Sequence, residues 1–148
     1  MRIGWLFIGV LVISACGTPM EQIQQKSCAG GEVEFDIFSG RPNPILPLDG
    51  SECTTIIAVL QPLAERPPFE VSEQLGYRGA YISLNEVDHN QKIIHSAVYV
   101  LGDRIRITQA NVTRFLADPD RHMEKVLLEQ AARSLDSDTV SLLNEVMN

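Results

Sequence analysis

The chain has 148 residues, of which 45% are hydrophobic, and its 19 acidic residues outnumber its 12 lysines and arginines, for a formal charge of −7. This balance gives the protein little electrostatic reason to bind nucleic acid or an anionic membrane surface. The length suits one modest hydrophobic core rather than two domains.

The first fifteen residues have the pattern of an export signal. Arg2 supplies a short positive start, and residues 3–13 are almost wholly apolar, a run too short for the ~20 residues of a membrane-spanning helix. The small residues Ser14 and Ala15 then precede Cys16. An ordinary cleaved secretory signal that happens to end near a cysteine is the alternative interpretation.

The sequence Ile13-Ser14-Ala15-Cys16 resembles the lipobox of bacterial lipoprotein signals. This resemblance implies cleavage before Cys16 and attachment of three acyl chains to that residue, which is more than the two needed for stable anchoring. Gly17 stands where an aspartate marks inner-membrane retention in many enterobacterial lipoproteins, so the expected destination is the periplasmic face of the outer membrane. The mature chain would carry 11 basic and 19 acidic residues, a formal charge of −8.

The rest of the chain divides into a tether and one domain. Residues 16–27 are expected to form a lipidated tether, because this stretch is polar and has no clear apolar period. Residues 28–148 then form a single domain, which contains Cys28 and Cys53.

Two cysteines in a domain exported to an oxidising compartment are most simply a disulfide. A bond between Cys28 and Cys53 would join the start of the first strand to the first helix and contribute ~3 kcal/mol. Two separate buried thiols are the alternative. No histidine lies near either cysteine in the sequence, which argues against a catalytic thiol.

Apolar residues alternate in residues 33–38 and predict the first strand. Asp49-Gly50-Ser51 offers capping side chains for a helix that Pro62 ends or kinks. The buried face of this helix would consist of Cys53, Ile56, Ile57 and Leu60.

Three further strands are predicted at residues 80–87, 93–101 and 104–108. Polar turn residues at 88–91 and the pair Gly102-Asp103 separate them, which favours an antiparallel meander.

The C-terminal part is predicted to be helical. Asp118-Pro119 is expected to supply a cap and the first helical residue, and Ser137 or Asp136 to cap a final short helix. The expected buried stripe is Met123, Val126, Leu127 and Ala131, with Glu124 on the exposed side. The predicted fold is therefore α+β, a small and mostly antiparallel sheet of about four strands with two or three helices on one face.

The residues Phe-Ser-Gly-Arg-Pro-Asn-Pro at 38–44 are the least generic stretch of the mature chain. Two prolines stiffen this loop, which would present the guanidinium of Arg41 and the amide of Asn43. A guanidinium can bind a carboxylate or phosphate through two hydrogen bonds. Alternatively, Asn43 satisfies backbone groups of the loop and Arg41 pairs with an acid of its own chain. The candidate acids are Asp36, Asp120 and Glu124.

A second motif, Gly-Tyr-Arg-Gly at 76–79, introduces the meander. Its Tyr77 and Arg78 would line the same pocket as Arg41, or else pack against and solvate a turn. Together the two motifs resemble a group of small bacterial proteins in which a strand enters the first motif, a helix follows, and the second motif leads into a hairpin. The resemblance implies this layout and the importance of the loop, and it implies no activity. The chain departs from that group at Ile45-Leu46-Pro47, where a bulky residue such as tryptophan is common.

Signatures of catalysis are sparse. His89, His95 and His122 lack ligand spacing such as two histidines one helical turn apart, so a metal site is not expected. The chain has no nucleophile elbow, phosphate-binding glycine loop or calcium-loop pattern. We expect no catalytic residues and no cofactor, and the sequence leans against an enzyme without excluding one.

The leading hypothesis is a non-enzymatic binding module, lipid-anchored in the periplasm, whose partner is a protein and suits the acidic charge best if it is cationic. One alternative is an immunity protein that neutralises a cationic periplasmic toxin, which an acidic domain would attract by electrostatic steering. Another is an enzyme that acts on a cell-wall or small anionic substrate, with Arg41 and Arg78 as anion clamps.

Overall fold

The computed structural model describes residues 27–37, 42–71 and 76–147. Cys16 and Arg41 lie outside the described residues, so the predictions made for them stay predictions. The elements in chain order are β1 (Ser27–Phe35), β2 (Ile45–Leu48), α1 (Gly50–Leu60), β3 (Ala64–Glu65), β4 (Ala80–Val87), β5 (Ile93–Leu101), β6 (Arg104–Gln109), β7 (Val112–Ala117), α2 (His122–Ser134) and α3 (Ser137–Met147).

The strands form one seven-stranded sheet in the order β2-β1-β4-β5-β6-β7-β3, and each neighbouring pair is antiparallel. The predicted α+β class and the β4-β5-β6 meander are confirmed. The prediction of about four strands is wrong. It missed β2, which contains Pro47, and β3, which is only two residues long. It also missed β7, where Arg114 breaks the apolar alternation on the helix-facing side.

The helices cover the side of the sheet that carries most of the hydrophobic core. The predicted face of α1 is buried, and Asp49 caps this helix by accepting hydrogen bonds from the backbone of Ser51 and Glu52. Cys28 and Cys53 are joined in a disulfide, with their Cα atoms 5.8 Å apart. This bond attaches α1 to β1 and confirms the predicted pairing.

The start of α2 differs from the prediction. The side chain of Asp118 does cap the helix, because its Oδ2 accepts a hydrogen bond of 2.7 Å from the backbone of Met123. Pro119 is not the first helical residue, however, since the chain turns through Arg121 at a φ of 51° before α2 begins. Asp136 caps α3 by accepting from the backbone of Thr139. None of the helices in the described ranges has the length and apolar character needed to cross a membrane.

After β3, the chain lies on the side of the sheet that faces away from the helices, where Phe69 is found. β3 lies at one edge of the sheet, next to β7, whereas β4 lies between β1 and β5. The ring of Phe69 contacts those of Phe115 and Tyr99 at centroid distances of 5.3 and 6.5 Å. Tyr99 is consequently only 2% exposed although it points away from the helices.

Candidate functional site

The first motif and the second meet at Asp36. Arg78 forms an ion pair with Asp36, its Nη2 lying 2.6 Å from Oδ1, and Asn43 donates to the same oxygen at 3.2 Å. Asn43 also accepts from the backbone of Ile37 and donates to Glu34. The hydrogen bond to Asp36 is the main cause of a raised pKa for the Arg78 guanidinium. These contacts are of the kind expected if both side chains hold the loop in place.

Tyr77 points to the other side of the chain, toward the helices. Its hydroxyl donates to Oε1 of Glu124 at 3.2 Å. Tyr77 and Arg78 therefore lie in the same motif but contact different carboxylates. The predicted pocket shared by Arg41, Tyr77 and Arg78 involves a residue outside the described ranges and stays a prediction.

Glu124 was expected on the exposed side of α2 and is instead 2% exposed. Its Oε1 accepts from the backbone of Gly102 at 2.8 Å as well as from Tyr77. Its Oε2 accepts from Arg121, whose Nη2 is 2.7 Å away and also donates to the carbonyl of Met147. Residue type predicts exposure for a glutamate on a helix, but Tyr77 and Gly102, which are distant in the sequence, together with the neighbouring Arg121 compensate its burial.

The backbone conformation and close contacts at position 79 explain why the second motif ends in glycine. Its φ is +113°, and a Cβ at this position would lie 2.5 Å from the carbonyl oxygen of Val100 and 2.7 Å from the ring of Tyr99. The hydroxyl of Tyr99 donates to the carbonyl of Arg78 at 2.7 Å. Only glycine combines this backbone conformation with so close an approach to the next strand.

A groove of about 440 Å³ lies between α1 and the helix-facing side of the sheet. It forms because the helices do not cover the end of the sheet near the β6–β7 turn. Along β6, Ile105 is fully buried whereas Ile107 and Gln109 are half-buried, and Val112 at the start of β7 is 62% exposed. The lining residues are Ile57, Leu60, Gln61, Leu84, Glu86, Val98, Ile107, Gln109, Ala110, Val112, Arg114 and Leu116.

One end of the groove is polar. Glu86 of β4, Ser96 of β5 and Gln109 of β6 all point to the helix-facing side and form one hydrogen-bonded cluster. Ser96 donates to Oε1 of Glu86, and Nε2 of Gln109 donates to the same oxygen at 2.9 Å and to Oγ of Ser96 at 2.6 Å. Glu86 is 8% exposed. The groove therefore combines apolar walls with a held carboxylate, the usual composition of a ligand site.

Sequence reasoning missed this site. Glu86, Ser96 and Gln109 belong to three strands, and each residue alone is unremarkable in a sheet. The signal that could have found them is their shared orientation, since the strand register places all three on the side that carries the core. His95 forms a 2.7 Å hydrogen bond with the side chain of Asn85 on the opposite side of the sheet.

Comparison of the chain with family models, curated proteins and solved structures finds no match. The resemblance of the two motifs to a group of small bacterial proteins stays a prediction.

Replacing Glu124 by alanine should lower the free energy of unfolding by about 2–4 kcal/mol. The change leaves the backbone of Gly102 and the side chain of Arg121 without their buried carboxylate partner. Glu129→Ala is the matched control, because Glu129 is exposed on the same helix. Urea unfolding measures both variants. Equal losses in the two would show that Glu124 does not connect α2 to the sheet.

The domain should lose stability above the ordinary pKa of tyrosine. Burial, followed by the nearby carboxylate of Glu124, raises the pKa of Tyr77 from its ordinary value of 10.0. The folded state therefore holds this proton more tightly than the unfolded state. The resulting stability is fully present below about pH 10 and declines as the pH rises further.

Urea midpoints at about pH 8 and about pH 11 test this dependence. Tyr77→Phe should show a smaller decline than the wild-type protein, because phenylalanine has no proton to lose. Tyr81→Phe is the control, since Tyr81 is exposed. The assignment of this pH dependence to Tyr77 fails if the urea midpoint of Tyr77→Phe falls as much as that of the wild-type protein.

Proposed function

We propose that the chain is a lipid-anchored lipoprotein of the bacterial envelope whose domain is a non-enzymatic binding module. The observation that carries the binding role is the groove beneath α1, where apolar side chains surround the carboxylate of Glu86. The lipobox-like sequence before Cys16 supports the anchor. The disulfide between Cys28 and Cys53 supports an oxidising compartment.

The polar cluster in the groove favours binding over catalysis. Ser96 and Gln109 both direct donors to Oε1 of Glu86, and these two hydrogen bonds hold the carboxylate in one orientation. A serine in a nucleophilic role needs a base positioned to take its proton and an adjacent site for the developing oxyanion. In this cluster the hydroxyl of Ser96 donates to Glu86 and its oxygen accepts from Gln109, so the serine is engaged both as a donor and as an acceptor.

The enzymatic alternative depends on Arg41 and Arg78 as anion clamps. The charge of Arg78 is already compensated by Asp36 at 2.6 Å, which weakens this alternative. The immunity alternative draws on the formal charge of −8 of the mature chain, and it would use the same groove for a cationic partner.

The envelope assignment predicts two covalent features of the protein in cells. Mass spectrometry should find a mature chain that begins at an acylated Cys16. Alkylation of unreduced cell extracts should leave Cys28 and Cys53 unlabelled, because they are bonded to each other. Cys16→Ser should release the protein from the membrane fraction. An unmodified Cys16, or free thiols at the other two positions, would contradict the assignment.

The groove itself is tested by crosslinking in cells. A photoreactive benzoyl-phenylalanine at Val112 should crosslink a partner, since this side chain lies at the groove and is 62% exposed. The same amino acid at Thr113 is the matched control, because this neighbouring residue is also exposed but points to the opposite side of the sheet. Equal crosslinking at both positions, or none at either, would refute the groove as the binding surface.

A further inference from the structure

We infer that the side of the sheet that faces away from the helices binds a soluble phosphate monoester through an arginine cluster, which consists of Arg66, Arg104 and Arg106. This site goes beyond the proposed function and does not depend on it, because the groove lies on the helix-facing side. The positions of the three guanidinium groups, their charge and their free hydrogen-bond donors all favour such a ligand.

The arginine cluster surrounds two aromatic rings that contact each other. Arg104 and Arg106 alternate with isoleucines along β6, so both point away from the helices. The Cζ atoms of Arg66 and Arg104 lie 5.4 and 5.6 Å from the ring centroid of Phe69. The Cζ atom of Arg106 lies 5.4 Å from the ring centroid of Tyr99, and the two centroids are 6.5 Å apart. Three positive charges are therefore held in one small region of the sheet.

The arginine cluster carries more positive charge than its ion pairs compensate. A carboxylate oxygen of Asp103 lies 3.5 Å from Nη1 of Arg66, and the other lies 3.8 Å from Nε of Arg104. Within the part of the chain that the structure describes, no carboxylate forms an ion pair with Arg106. One carboxylate against three guanidinium groups leaves a formal surplus of two positive charges. A phosphate monoester carries a charge of about −1.5 to −2 at pH 7 and matches this surplus.

The arginine cluster also has hydrogen-bond donors to offer. Each guanidinium has five N–H groups. The contact of Arg106 is with an aromatic ring, and the distance of 3.8 Å from Arg104 to Asp103 is too long for a hydrogen bond. The Nε of Arg66 is buried and has no hydrogen-bond partner among the described residues. Phosphate oxygens can accept two parallel hydrogen bonds from one guanidinium.

The spacing along β6 suits a phosphate group that contacts two arginines. Residues two apart on one strand are roughly 7 Å apart, so one tetrahedral anion can lie between Arg104 and Arg106. The side chains of Arg66 and Arg104 are 27% and 38% exposed, and solvent can therefore reach the cluster. The chain as a whole has a formal charge of −7, which repels an anionic bilayer and favours a soluble ligand over a lipid headgroup.

Equilibrium dialysis with radiolabelled inorganic phosphate tests the site, with the full chain held in phosphatidylcholine nanodiscs. The wild-type protein should retain phosphate above the level of empty nanodiscs. Arg106→Gln should bind phosphate about tenfold more weakly, because hydrogen bonds between charged groups are among the strongest single contacts. Arg133→Gln is the matched control, since Arg133 is an exposed arginine at the end of α2, and this variant should bind as the wild type does.

A second measurement uses the wild-type protein alone and does not depend on a variant that folds. Phenyl phosphate and phenyl sulfate are similar in shape, but the sulfate ester carries a single negative charge. Phenyl phosphate should displace the bound inorganic phosphate at about a tenfold lower concentration than phenyl sulfate at about pH 8, where the phosphate ester is a dianion.

Nanodiscs that contain phosphatidic acid test a lipid headgroup as the source of the same phosphate group. Phosphatidylglycerol, an anionic diester, is the control for the charge of the bilayer. The wild-type protein should retain equal amounts of inorganic phosphate in both kinds of nanodisc. Loss of phosphate binding with phosphatidic acid alone would assign the arginine cluster to a lipid headgroup and overturn the soluble ligand.

Three further results would overturn the phosphate site. They are equal phosphate binding by Arg106→Gln and Arg133→Gln, equal displacement by the two phenyl esters, and no retention of phosphate above the level of empty nanodiscs. None of these results affects the groove, because crosslinking at Val112 reports on the other side of the sheet.

Discussion

The width of the sheet is the constraint on which the other features depend. Seven strands at ~4.8 Å spacing give a sheet about 29 Å wide. The three helices have 11, 13 and 11 residues, and each is therefore about 16–20 Å long. Near the β6–β7 turn these helices leave the face uncovered, and Val112 there is 62% exposed. The groove is the part of the helix-facing side that stays uncovered, and α1, held to β1 by the disulfide, forms its wall.

The two sequence motifs act at the opposite end of β4 from the groove. Asn43 and Arg78 converge on Asp36, Tyr77 reaches Glu124, and Gly79 allows the chain to pass close to β5. These contacts connect the loop after β1, the start of β4 and the start of α2. The most distinctive residues of the sequence thus contribute to the architecture where the structure describes them, whereas the groove is built from residues of ordinary types.

Much of the fold could be predicted from local pattern. Alternation located β4, strand-forming residue types located β5, and the spacing of Cys53, Ile56 and Ile57 located the buried face of α1. Local sequence pattern did not predict burial where contacts between residues distant in the sequence determine it. The burial of Glu124 depends on Tyr77 and Gly102, which are distant in the sequence. The polar cluster of the groove could not be predicted for the same reason, because only the register of three strands brings its residues together.

The pairing of β3 with β7 has a consequence for how the polypeptide matures. A ribosome delivers β3 long before β7, yet Ala64 finds its only sheet partner, within the part of the chain that the structure describes, in Ala117. β3 cannot pair until β7 has been synthesised, and such non-local topologies form slowly. This edge of the sheet is therefore expected to close late in folding.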